Sequence, residues 1–195
     1  MALTLAKNQS ISLEKTAGGG LSKITLGLGW DPEKTGFFGK LMGNSGDIDL
    51  DASCILFDEG FKPVDLVWFR QLKSRDGSIQ HSGDNRTGEG DGDDESIAVD
   101  LGRLPATVKH LVFTVNSFTG QTFQKVENAY CRIVDSGANK ELARFNLSEK
   151  GGHTGIVMAS LTRGPAGWDF KAIGKTTNGR TADDLVNLAV EAVRA

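Results

Sequence analysis

The chain of 195 residues is short of cysteine, histidine, positive charge and long apolar runs, and each shortage excludes something. Its two cysteines, Cys54 and Cys131, are too few for a disulfide framework. Each lies in an apolar stretch (CILF and YCRIV), where a reduced core thiol is expected. The three histidines, His81, His110 and His153, stand far apart without H-x-x-x-H spacing, so no zinc motif forms. SIQHSGD brings Ser and His together, yet no G-x-S-x-G nucleophile elbow is present. No segment approaches the ~18 apolar residues of a membrane span. The N-terminal MALTLAKNQSISLEK has no charged start followed by an apolar core. A cytoplasmic protein without direct membrane insertion is the expectation. Lys and Arg total 22 against 25 Asp and Glu, a net charge of −3, which removes the electrostatic case for binding nucleic acid.

What is present is a series of short segments of alternating apolar residues, punctuated every 8 to 15 residues by Gly, Asn, Asp or Pro. That spacing predicts an all-β fold, an antiparallel β-sandwich. Expected strands are ALTLA, SISLE, SKITLGLGW, DIDLDASCILF, LVWFRQL, SIQHSG, ESIAVDL, HLVFTVNSF, AYCRIVD, ELARFNL, GIVMASLTR and GWDFKAIG. In SKITLGLGW, Ile24, Leu26, Leu28 and Trp30 share one face with period two. The ending TADDLVNLAVEAVRA has a different period: Thr181 can cap a helix, Asp183 and Asp184 suit its first turn, and Leu185, Leu188, Ala189, Ala192 and Val193 form a stripe. One domain over residues 1–195 is expected, with the sandwich over about 1–176 and a C-terminal amphipathic helix over about 181–195.

The densest chemistry lies in GDNRTGEGDGDDE, residues 83–95, where six side chains are carboxylates and four residues are glycine. Two carboxylates about 4 Å apart repel by roughly 4 kcal/mol at an effective dielectric near 20, so such a loop calls for positive charge. Asp47, Asp49 and Asp51 alternate in GDIDLDAS, which on a strand would line one face, and LGLGWD ends a strand at Asp31. Three segments can therefore converge at one end of the sandwich. The donors are hard oxygens, and glycines let carbonyls turn inward; this suits Ca²⁺ with six to eight flexible ligands better than Zn²⁺ or Mg²⁺. An EF-hand fails on spacing, a β-helix calcium repeat does not recur, and a P-loop lacks its Lys because Glu89 follows Gly88. The plain alternative is a solvated acidic loop. Asp58, Asp65, Asp76 and Asp135 read as turn residues.

The combination of GLGWD (27–31), DLDAS (49–53), SRDGSIQHSGDNRTGEGDGDDE (74–95), ELARFNL and GWDFKAIG resembles the TerD family of tellurium-resistance and stress-response proteins, over nearly the whole chain. The resemblance implies a Ca²⁺-binding β-sandwich of the bacterial cytoplasm without established catalysis. Its partners would be calcium ions and other tellurium-resistance proteins, including membrane-associated ones. Carried over by motif, the metal ligands fall on Asp31, Asp49, Asp51, Asp84, Asn85, Asp91, Asp93, Asp94 and Glu95, with Glu89 a less secure member. Two departures stand out: PEKTGFFGKLMGNSG is long and apolar, and Thr162 stands in ASLTR where the family pattern has Tyr. The rival readings are a metal-dependent, hydrolase-like enzyme using the same carboxylates and a Ca²⁺-bridged sugar binder.

Overall fold

The structure is a computed structural model that describes residues 2–32, 49–83, 92–147 and 151–195. Among these, twelve strands form two six-stranded sheets. The first contains β1 (Leu3–Thr4), β10 (Lys140–Asn146), β9 (Val126–Asp135), β3 (Lys23–Pro32), β7 (Glu95–Asp100) and β6 (Ile79–His81), in that spatial order. The second runs β2 (Ser10–Ser12), β12 (Gly167–Thr177), β11 (Gly155–Gly164), β8 (His110–Asn116), β4 (Asp51–Phe57) and β5 (Pro63–Val67). Pairing is antiparallel except between β1 and β10, which run parallel.

The expected period appears in the core. Ile24, Leu26, Leu28 and Trp30 of β3 are buried against Ala52, Cys54, Leu56, Leu111, Phe113 and Val115 of the opposite sheet. The other faces of β4 and β8 are buried too. Ile55, Phe57 and Val112, with Val157 and Ile173, form a second cluster under α2 (Ala182–Arg194), which lays Ala189 and Ala192 on it. Both strands are buried at every position, which is why they read as continuous apolar runs. Thr181 caps α2 as expected, and Asp184 closes a capping box by accepting from the Thr181 N–H at 3.0 Å.

Three local expectations change. SISLE continues only to Ser12 as a strand; Leu13 then opens a five-residue helix, α1 (Leu13–Ala17), ending at left-handed Gly18. The strand expected in LVWFRQL stops at Val67, and the backbone reverses over Trp68 to Gln71, which bond each other. The row of Asp47, Asp49 and Asp51 does not lie on one strand. Pairing starts only at Asp51, opposite Asn116, with Asp49 ahead of the strand and Asp47 outside the described residues.

Candidate cation site

Among the described residues, the end of β3, the C-terminal end of the acidic stretch and the start of β4 come together at one end of the sandwich, tied by hydrogen bonds. The Asp94 backbone N–H donates to the Leu28 carbonyl at 2.7 Å, and the Asp94 carboxylate accepts from the Trp30 N–H at 2.8 Å. One residue later, Glu95 turns into the space between the sheets and accepts the Ala52 N–H at 2.7 Å. The acidic loop's C-terminal end thus bridges β3 and the start of β4. His81 braces it: Gly83 N–H donates to Nδ1 at 3.0 Å, so Nε2 carries the hydrogen, 3.1 Å from the Ala52 carbonyl and 3.4 Å from Glu95 Oε2.

Each remaining carboxylate has its own setting. Asp31 projects to the solvent side of β3 and accepts from the Asn128 amide at 2.7 Å. Asp51 opens β4, buried on the face that carries Ile55. Asp93 faces Arg132, which binds it with two nitrogens, Nε to Oδ1 at 2.8 Å and Nη2 to Oδ2 at 3.0 Å. Burial, and then the nearby carboxylates of Asp31, Asp93 and Glu95, push the Asp94 carboxyl above its ordinary range. Asp84, Asn85 and Asp91, together with Glu89, lie outside the described residues. Among the described residues, no three His, Cys, Asp or Glu side chains form a group able to hold a metal ion. The donor chemistry nonetheless fits a hard cation. The candidate side chains present oxygens, and the like charge that Asp31, Asp93 and Glu95 add to the burial of Asp94 is of the kind that a divalent cation relieves.

Sequence reasoning passed over the residues that hold the acidic end: Tyr130, Arg132, Asn128 and His81. The signal for one of them, Tyr130, was a glycine of GLGWD. A Cβ at Gly27 would overlap the Asp93 carboxylate and one at Gly29 would strike the Tyr130 ring, so both glycines keep a trough open across β3. Beside the same end lies an aromatic patch. Arg70 sits over Trp68, Phe69 and Phe118 at 5.2 to 5.8 Å, and Phe118 is 42% exposed.

The model of the TerD domain matches residues 1–189 of the chain. The chain belongs to the TerD family. It is 55% identical over 192 residues to the tellurium resistance protein TerZ of Serratia marcescens, covering 98% of each chain. It is 41% identical over 197 residues to the stress response protein SCP2 of Bacillus subtilis (strain 168), covering 96% of this chain and 98% of that one. Among solved structures, a homologue of the telluride resistance protein TerD from Streptomyces coelicolor A3(2) superposes with a TM-score of 0.68 at 23% identity, over 86% of this chain and 96% of that one, which shows the shared fold. Among the described residues, no helix of this TerD-family chain is long and apolar enough to cross a membrane.

Proposed function

We propose that this TerD-family chain is a Ca²⁺-binding, non-catalytic component of a bacterial tellurite-resistance and stress-response system. It works in the cytoplasm, through Ca²⁺-dependent structure and contacts with other tellurium-resistance proteins, including membrane-associated ones. The observation that carries the reading is the gathering of Asp31, Asp93 and Glu95 around Asp94 at one end of the sandwich, where burial first, and then these like charges, raise the Asp94 carboxyl. Asp31 and Asp94 would offer oxygens to such an ion, Asp49, Asp51 and Glu95 remaining candidates by motif, and Ca²⁺ would supply the positive charge that offsets the repulsion felt at Asp94. The patch of Trp68, Phe69, Arg70 and Phe118 supports a docking role, since aromatic residues and arginine dominate protein interfaces. Relatives named for tellurium resistance and stress response support the biological setting. Cys54 and Cys131 are buried, and burial raises both thiols, Cys131 to about 12, which supports a role that does not reduce tellurite through them.

The test is calorimetric titration of the chelator-treated chain with Ca²⁺, with Mg²⁺ as the control ion. Binding of Ca²⁺ is expected, with a rise in unfolding free energy of about 2.7 kcal/mol at a hundredfold excess over Kd. Absence of any heat or thermal shift at millimolar Ca²⁺ would remove the proposal.

A further inference from the structure

We infer that Arg132 is a positioning residue for the candidate cation site, and that Asp93 is the anchor of the acidic loop and not one of its ligands. This rests on the calcium reading above.

The geometry is a braced clamp. Both Asp93 oxygens are taken by the Arg132 fork, and the Tyr130 hydroxyl lies 3.1 Å from Oδ1 and 2.8 Å from the Gly92 carbonyl. The far side of Arg132 is held in turn, with Nη1 on Glu141 Oε2 at 3.1 Å. Arg144 grips the same Glu141 through two nitrogens at 3.0 Å each and lies 4.2 Å over the Tyr130 ring. The space for this assembly exists because Gly27 and Gly29 carry no side chain on that face of β3. Asp93 is thereby fixed over Gly27, while the next residue, Asp94, is bonded to Leu28 and Trp30 of the same strand. Two consecutive residues at the loop's end are held before any cation arrives. Ordering that end is then not charged against binding, the usual basis of preorganisation.

Arg132 places a positive charge beside the carboxylates, so by charge alone its removal would favour a cation. If Asp93 were a ligand, freeing it from the guanidinium would strengthen binding further. If Arg132 positions the loop, its removal weakens binding even though the site becomes more negative.

Calcium titration of the full chain decides between them, using Arg132→Gln, Arg132→Lys, Asp93→Asn and the Arg132→Gln, Asp93→Asn double variant, each checked for folding in chelator. Removal of a group that orients a metal ligand typically weakens affinity 10–100-fold. Arg132→Gln is expected to lose about tenfold or more, Arg132→Lys to lose less, and the double variant to bind no more weakly than the weaker single. Should Arg132→Gln not fold, Tyr130→Phe, which deletes one hydroxyl, still tests the clamp and is expected to weaken Ca²⁺ binding about threefold. Calcium affinity unchanged or raised in Arg132→Gln, or additive losses in the double variant, overturns the clamp while leaving the calcium reading in place. A wild-type chain that binds no Ca²⁺ overturns both.

Discussion

Glu95 shows how much a single residue at this end of the protein has to do. It is 1% exposed on β7, yet its carboxylate reaches the opposite sheet to accept the Ala52 N–H, with His81 beside it. Burial of a carboxylate is tolerated only where donors surround it, and a donor left without an acceptor in the same place costs about 1–3 kcal/mol. Glu95→Ala orphans the Ala52 N–H, so chemical denaturation in chelator is expected to show a loss of at least about 1–3 kcal/mol. Glu95→Gln, which keeps an acceptor oxygen, is expected to lose less. Equal losses in the two variants would mean that the negative charge, and not the hydrogen bond, holds the sheets together here. The sequence marked Glu95 as a ligand candidate through its acidic neighbours, but its inward direction follows from the pleat of β7, which buries Ile97 and Val99 on the same side.

At the scale of elements, α2 tests how far a capped amphipathic helix depends on the sheet beneath it. Thirteen residues are marginal as a free helix in water, so its stability comes mainly from the buried face and the cap. Leu185 is fully buried, and Leu185→Ala is expected to destabilise by about 2–5 kcal/mol. Thr181→Ala, which removes the capping oxygen, is expected to cost about 1 kcal/mol. Thermal unfolding of the two variants checks both, and comparable losses would show that the cap matters as much as packing. This helix and the long strands were legible because their periods are local: Thr181 and the stripe from Leu185, and Ile24 to Trp30 at period two. Elements set by distant partners were not. SISLE alternates well enough to read as a strand through Leu13, and only the fold shows α1. WFRQ contains no Gly, Pro, Asn or Asp, so its reversal leaves no mark in composition. The same limit applies to the site. The acidic residues were legible as candidates from composition alone, whereas the Arg132 fork closes across 39 residues and depends on two strand glycines that look like weaknesses until Asp93 and Tyr130 occupy the gap.

Over the whole molecule, carboxylates shifted in opposite directions couple stability to both pH and calcium. Glu141 is held below its ordinary range by the Arg144 hydrogen bonds and then by Arg132, and Asp184 by the backbone N–H of Arg180. Groups lowered on folding stabilise fully above their unfolded values, and that contribution disappears only as pH falls through the depressed folded values. Asp94 has the opposite sign. Its folded carboxyl is raised, chiefly by burial, so the Ca²⁺-free folded state takes up a proton more readily than the unfolded chain. Stability in chelator should therefore rise as pH falls through the raised Asp94 value, before the losses from Glu141 and Asp184 begin at lower pH. Calcium reverses the preference, because a bound cation favours the charged carboxylate and a proton competes with it. The added stability should be largest above the raised Asp94 value and shrink as pH falls through it. Thermal unfolding across the acidic range, with chelator and with saturating Ca²⁺, is expected to place the stability optimum at higher pH in calcium. In Asp94→Asn, whose amide oxygen can still accept the Trp30 N–H, the chelated protein should gain up to about 1 kcal/mol near neutrality, the scale of partly exposed charge pairs. The calcium-dependent displacement of the optimum should be largely lost in the same variant. Identical pH profiles for wild type in chelator and in calcium would mean that Asp94 does not exchange protons for the cation.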